Sequence, residues 1–359
     1  MKLYFILNQA KIALLFISFA YLFVGNFYGK SEITLSDKKL IEILSTQEKF
    51  FSESQDRLNI DIRELGRKAQ EIVSAYESYL SENSSDTDAL ILFGKFLKKV
   101  GQEEYAIDYF VKADEINPKL AVVKQQLANY LVENGKPVDA FPYLILTVEL
   151  APFTAAYHFN LGNFIYLFED DLINDGILSR KSAQSFMHRS FQKACEIDTK
   201  NFEYSLRFAQ SFFDYPESNK VEALSTWGKI EKNFPERSDL ENEYFRLCKA
   251  RILLELGRKK EAQVLLNTVR SKSLEKVKKT LLNRTDKNQN SQNLKSDTKQ
   301  SSFKTDQKIF LPSDPHLKRL QKMAADFLEE KMLSELKSDA IRAKYNNKGE
   351  IEIEFSKVP

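Results

Sequence analysis

The chain has 359 residues, of which 43% are hydrophobic and 29% charged, so it can bury a sizeable core and is not disordered throughout. Only 11 glycines and 9 prolines occur over that length, which leaves too little turn chemistry for a β-sandwich or barrel and favours helices. The 53 Lys and Arg residues nearly balance 51 Asp and Glu residues, so charge gives no overall case for nucleic acid or an acidic partner.

Residues 1–29 are predicted to be an export segment. Lys2 and Lys11 precede an apolar run at residues 12–24, which matches the positive and apolar regions of a signal sequence. No small-x-small cleavage site follows the run, and residues 12–28 would span roughly 26 Å, short of a hydrocarbon core of about 30 Å. A cleaved signal peptide and a short signal anchor therefore both remain open. We expect an exported protein, either anchored in the inner membrane with a periplasmic or other extracytoplasmic domain, or secreted to the periplasm.

Residues 36–86 are predicted to hold two helices. The stretch 37–58 has the pattern of a capping helix. Leu65-Gly66, Tyr76 and Tyr79 are spaced like the second helix of the repeat that follows. We therefore expect a capping helix and a degenerate repeat here.

A period of 34 residues runs through the next part of the chain. Shifting the sequence by that length aligns small residues and prolines: Gly94 with Ala128 and Gly162, Gly101 with Gly135, Ala106 with Ala140, and Pro118 with Pro152. Large apolar residues stand at set offsets in the first copy: Leu90, Phe93, Leu97 and Phe110. This segment resembles the tetratricopeptide repeat, a helix-turn-helix unit. The resemblance implies an all-α, right-handed superhelical solenoid.

The resemblance covers residues 53–282 in about five to six repeats, of which the five complete ones lie at 87–282. These span about 87–120, 121–154, 155–201, 202–237 and 243–276. The third contains an insertion around residues 168–177, which we expect to project as a loop or to lengthen a helix. The fifth has Leu274 where repeats one, two and four have proline, so its second helix is predicted to continue through Leu282.

Two columns of the repeat are predicted to pack together. Small residues in the first helices allow a close approach to the second helices, and they are Gly94, Ala128, Gly162, Ala209 and Ala250. Bulky residues in the second helices fill the space between repeats, and they are Phe110, Leu144, Phe191, Trp227 and Leu266. We expect both columns to be core.

Three segments follow the repeats. Residues 283–313 are polar and predicted to be a disordered linker. Residues 314–345 are predicted to form an amphipathic helix, because apolar residues recur there at helical spacing. Residues 346–359 form a tail in which Ile351–Phe355 alternates like a strand, either loose or adding to another protein's sheet.

Catalytic and metal chemistry finds little support. His158, His188 and His316 lack the spacing of a metal site, and no phosphate loop or nucleophile elbow occurs. The acidic stretch 169–175 is a poor calcium loop, because Ile173 occupies a ligand position and Ser182 stands where a bidentate Glu is needed. We predict no catalytic residue, no metal and no cofactor.

The concave face is the predicted binding site. In the tetratricopeptide family the first helices line this face, and the residue after each small residue points into it. Those residues are Lys95, Asn129, Asn163, Gln210 and Arg251, with Phe159 and Tyr166 as apolar anchors, and Ile91, Leu206 and Phe213 beside them. Amides can pair with an extended peptide backbone, and Lys and Arg can hold carboxylates. The alternative is that these are ordinary exposed helix residues.

The sequence thus favours a non-catalytic scaffold or adaptor that binds a protein or peptide partner and reaches the membrane through its N-terminal segment. An assembly or co-chaperone-like factor for envelope complexes, acting through the C-terminal helix, is an alternative. An enzyme would need a deep polar pocket. Nucleic-acid binding through the basic linker would need a cytoplasmic location, which the export segment opposes.

Overall fold

The computed structural model describes residues 34–54 and 62–286, together with strands at 341–345 and 351–355. In chain order the helices are α1 Leu35–Ser54, α2 Ile62–Glu82, α3 Thr87–Lys99, α4 Glu103–Ile116, α5 Ala121–Glu133, α6 Pro137–Leu150, α7 Ala155–Leu167, α8 Glu169–Asn174, α9 Arg180–Ile197, α10 Phe202–Asp214, α11 Lys220–Asn233, α12 Asp239–Glu255, α13 Lys259–Asn267 and α14 Glu275–Asp286. The predicted helix-turn-helix architecture is confirmed for these residues. The predicted export segment lies outside them, and none of the described helices is long and apolar enough to cross a bilayer.

The first of two compact units contains the described residues up to Asn160. Its helices form successive hairpins, α1 with α2, α3 with α4 and α5 with α6. The Tyr76 ring on α2 stacks on Phe93 of α3 at 4.9 Å, and its hydroxyl donates to Gln47 Oε1 of α1 at 2.8 Å. The residues predicted as a capping helix and a degenerate repeat therefore make one hairpin, in which α1 is the first helix.

The second unit contains the described residues from Leu161 to Asp286. The insertion of the third repeat forms the short helix α8 and a turn at Gly176, where φ is +71°. Leu172 is fully buried, and Arg180 at the start of α9 donates to Asp170 at 2.9 Å. The insertion is therefore folded back onto the unit by a buried side chain and an ion pair, and α9 reaches 18 residues.

The small-residue column makes the predicted close contacts. A Cβ added to Gly94 would lie 2.8 Å from Cε1 of Phe110, and one added to Gly162 would lie 2.8 Å from Cε1 of Phe191. Ala128, in the same column, is fully buried. Any side chain at positions 94 or 162 would press on the facing ring, so glycine fits there without displacing it. This packing agrees with the positions assigned to these glycines and rings in the first and third repeats.

Helix ends also follow the predicted stops. Gly101 and Gly257 come after first helices and have φ of +80° and +75°, values that glycine adopts without strain. Helix α4 ends at Ile116, two residues before Pro118.

Helix α12 begins with a capping box. The Ser238 side chain accepts from the Glu241 backbone N–H, and the Glu241 side chain accepts from the Ser238 backbone N–H.

The prediction for the end of the fifth repeat is wrong. Its second helix, α13, stops at Asn267, and a 3₁₀ turn at Lys272–Leu274 leads into the separate helix α14. The chain turns because Val269 is fully buried, and the carboxylate of Glu243 accepts from the Ser271 backbone N–H at 2.8 Å. Helix α14 also continues to Asp286, into the first residues of the predicted linker 283–313.

The C-terminal prediction needs a second correction. Ile341–Tyr345, assigned to the amphipathic helix 314–345, is strand β1, and it pairs with strand β2 at Ile351–Phe355. The predicted strand character of Ile351–Phe355 is therefore confirmed, and its partner is within this chain. Alternating β-branched and aromatic residues favour strands over helix here. Residues 314–340 lie outside the described part of the chain.

Candidate functional site on the first helices

The five predicted groove residues share one structural position. Each follows a buried small residue of a first helix, and each reaches the surface. Arg251 is exposed, and the other four, Lys95, Asn129, Asn163 and Gln210, are half-buried. The five polar residues therefore lie at the surface, and their role in binding stays a prediction.

In the first unit, Lys95 lies on α3 and Asn129 on α5. Burial lowers the pKa of Lys95 to about 8, so its ammonium is still mostly protonated at pH 7. Asn129 Oδ1 accepts from Gln125 Nε2 at 3.0 Å, which fixes the amide orientation. Phe159, on α7, is half-buried. Ile91, predicted to be an apolar anchor, is instead core, with 1% of its surface exposed.

In the second unit, Tyr166 on α7 joins a cluster that sequence analysis missed. Tyr166 is 45% exposed as a residue, and its ring covers the guanidinium of Arg207 on α10 at 4.3 Å. Phe191 lies on the same guanidinium at 4.3 Å, and Arg207 Nη1 donates to Asp214 Oδ2 at 2.9 Å. Arg207 precedes Gln210 by three residues and so shares its helix face. That spacing is the sequence signal that could have identified Arg207.

Helices α10 and α12 bring Gln210 and Arg251 onto one surface. Gln210 Nε2 donates to the Tyr244 hydroxyl at 3.3 Å, and the Arg251 guanidinium lies over the Phe213 ring at 4.2 Å. Burial raises the pKa of Tyr244, so its phenol stays neutral and able to donate. This part of the face combines an amide, a phenol, an aromatic ring and a guanidinium.

The two histidines in the described part of the chain, His188 and His158, contact atoms of the fold. His188 is buried, with Nδ1 at 2.7 Å from Ser211 Oγ, and burial lowers its pKa to about 4. His158 Nε2 lies 2.8 Å from the Pro152 carbonyl oxygen. Among the described residues, no group of three His, Cys, Asp or Glu side chains is placed to hold a metal. The absence of enzyme activity stays a prediction.

Comparison with solved structures gives a helical-repeat likeness. YrrB, described as a TPR protein with an unusual peptide-binding site, is 17% identical, covers 54% of this chain and 89% of its own, and has a TM-score of 0.43. PilF of Pseudomonas aeruginosa is 12% identical over 67% of this chain and 93% of its own, with a TM-score of 0.44. PilW, a type IV pilus biogenesis factor, is 11% identical over 66% and 98%, with a TM-score of 0.40.

The hairpin packing itself decides the fold. The close approach of Gly94 to Phe110 and of Gly162 to Phe191 recurs at the spacing of the repeat. The chain has the tetratricopeptide fold. No family model and no curated protein matches it. Because the identities and TM-scores are low, the similar structures carry no inference about what this tetratricopeptide chain binds.

Proposed function

We propose that this chain is a non-catalytic interaction scaffold that binds an extended segment of a partner protein along its first helices. The observation that supports this most is the surface shared by α10 and α12, where Gln210, Tyr244 and Arg251 stand together. These side chains from two neighbouring first helices present amide, phenol and guanidinium groups close together.

The chemistry of this surface suits a peptide backbone. Asn163 and the Gln210 Oε1 atom have no partner among the described residues, so Asn163 can donate to and accept from a bound segment, and Gln210 Oε1 can accept from it. Tyr166 and Phe213 offer apolar area beside them. Aromatic rings supply large contact area at low cost in conformational entropy.

The proposal is tested by panning a library of random peptides against the full chain in detergent micelles. We expect the selected peptides to lose about tenfold or more in affinity when Asn163 and Gln210 are both changed to alanine, because hydrogen bonds to the peptide backbone disappear. Gln263→Ala removes an exposed amide from the second helix α13 and is the matched control. Equal losses in the control would refute binding along the first helices.

Deleting residues 314–359 separates this proposal from the alternative. If the repeats bind the segment, the truncated chain retains the affinity of the full chain for the selected peptides. If binding is lost while the repeats remain folded by circular dichroism, the C-terminal region carries the interaction, as the assembly-factor alternative predicts.

We also propose that residues 1–29 direct export or anchoring, so that the repeats act outside the cytoplasm. The support is the apolar run after Lys11. Alkaline phosphatase fused after residue 286 tests this in a bacterial host, because the enzyme needs disulfides that form outside the cytoplasm. We expect activity that disappears when residues 1–29 are deleted. An active fusion without those residues, or an inactive full fusion, contradicts the proposal.

A further inference from the structure

Arg251 is held in a fixed position on the second unit's surface. Its guanidinium lies over the Phe213 ring at 4.2 Å, so the side chain on α12 reaches across to α10. The side chain is nevertheless 45% exposed. A cation on an aromatic face is pre-oriented and loses less conformational freedom when an anion binds.

Most hydrogen-bond donors of the Arg251 guanidinium are unused by the described residues. Its only partner among the described residues is Glu255, with Nε at 3.4 Å from Oε1, and both terminal nitrogens lack an acceptor there. Glu255 is also 3.6 Å from the ammonium of Lys220. Lys220 and Arg251 therefore share the single carboxylate of Glu255.

Arg258 of the same unit is the comparison, because its guanidinium is paired in a bidentate geometry. Arg258 donates from Nε and Nη2 to the two oxygens of Glu261 at 2.7 and 2.6 Å. Arg258 and Arg251 are almost equally exposed, at 46% and 45%. The two arginines therefore differ in their pairing and not in accessibility: Arg258 is bidentate to Glu261, whereas Arg251 has one long contact to Glu255 through Nε.

We propose that Arg251 receives the carboxylate of an acidic side chain in the bound partner segment. This inference rests on the proposed function and deepens it by naming the partner's chemistry, an extended segment with Asp or Glu. Guanidinium and carboxylate match in a bidentate geometry that an ammonium cannot reproduce. Gln210, whose amide is tied to Tyr244, lies on the neighbouring helix to hold the segment's backbone.

The test uses three fluorescent peptide probes with the full chain in detergent micelles. The first alternates Glu and Ala, the second replaces each Glu with Gln, and both have capped ends. The third is the Gln probe with a free C-terminal carboxylate. Affinity is measured by fluorescence polarisation at low and high salt for the parent, for Arg251→Gln and for the matched control Arg258→Gln.

We expect the Glu probe to bind the parent more tightly than the Gln probe. Arg251→Gln should weaken the Glu probe by about tenfold and reduce its salt dependence, because one charge-assisted pair is lost. The Gln probe should be unchanged by this substitution, and Arg258→Gln should behave like the parent with every probe.

Four other results of this experiment would each contradict a part of the proposal. If the Gln probe binds the parent and the Glu probe binds no better, the acidic partner is wrong while the proposed function stands. Equal effects of Arg251→Gln and Arg258→Gln also refute the assignment. If only the probe with a free C-terminus depends on Arg251, the site takes a terminal carboxylate and the side-chain assignment is wrong. If no probe binds the parent, the acidic assignment of Arg251 is refuted, while the panning experiment decides the proposed function separately.

Discussion

Replacing Gly162 with alanine tests the packing that defines the repeat. The new Cβ would lie 2.8, 2.9 and 3.0 Å from three carbons of the Phe191 ring, where ordinary contacts begin near 3.4 Å. Phe191 is fully buried, so its ring cannot turn away into solvent. Alanine gains about 1 kcal/mol of helix propensity over glycine, and overpacking costs about 1–3 kcal/mol. The net result should lie between no change and about 2 kcal/mol of destabilisation.

Gly228→Ala is the matched control. Gly228 is inside α11, and nothing lies within 4 Å of a Cβ added there. The same substitution should therefore stabilise the chain by about 0.5–1 kcal/mol. Urea unfolding followed by circular dichroism measures both variants. If Gly162→Ala is as stabilising as Gly228→Ala, the close packing and the repeat register derived from it are refuted. Gly162→Ala combined with Phe191→Leu should recover part of the loss, since the second repeat pairs Ala128 with Leu144 in the same columns.

Three further predictions concern buried charge and acid sensitivity. Lys124 Nζ contacts Asp114 Oδ1 at 2.8 Å, and the two side chains are only 6% and 8% exposed. Asp114→Ala should therefore lower the free energy of unfolding in urea by about 3–5 kcal/mol, because it leaves the Lys124 charge buried and unpaired. Adding Lys124→Met should recover part of that loss, and no recovery would contradict a buried-charge penalty. His188 has its pKa lowered to about 4, below the unfolded value near 6.5, so its neutral form favours folding and stability falls as pH drops from 6.5 toward 4, by about 2 kcal/mol at pH 5. His188→Leu should remove that fall, and an unchanged pH slope would refute it. Hydrogen bonds from Ser271 lower the pKa of Glu243, so the ionised carboxylate stabilises the folded state. This stabilisation is present above the unfolded pKa and is lost as pH falls through the folded pKa. Glu243→Ala should therefore speed hydrogen exchange in α14, whereas the exposed control Glu222→Ala should not.

The sequence was sufficient for the repeat because local and tertiary signals agree there. Gly94 and Phe110 belong to one hairpin, and the column spacing places them together before any distant contact is considered. The end of α13 was not predictable in this way. It depends on Glu243, which lies in α12 and accepts from Ser271 far along the chain, and on the burial of Val269. Such long-range contacts override local helix propensity.

The positions of the candidate site residues were predictable from the sequence, but the contacts between their side chains were not. The residue after each small residue is indeed at the surface, as the register requires. The stacking of Arg207 between Tyr166 and Phe191, and of Arg251 on Phe213, depends on which side chains neighbouring helices present to each other. Ile91 was misassigned because the packing of its own hairpin, and not its place four residues before Lys95, decides its burial.

Site-specific photo-crosslinking in intact cells tests the central claim most directly. A photoreactive residue is placed at Asn163 or Gln210 on the first helices, or at Gln263 on a second helix as control. If the first helices hold a partner segment, the first two positions give the same crosslinked protein and Gln263 does not. Crosslinking of that protein from Gln263 alone, or equally from all three positions, would contradict the account.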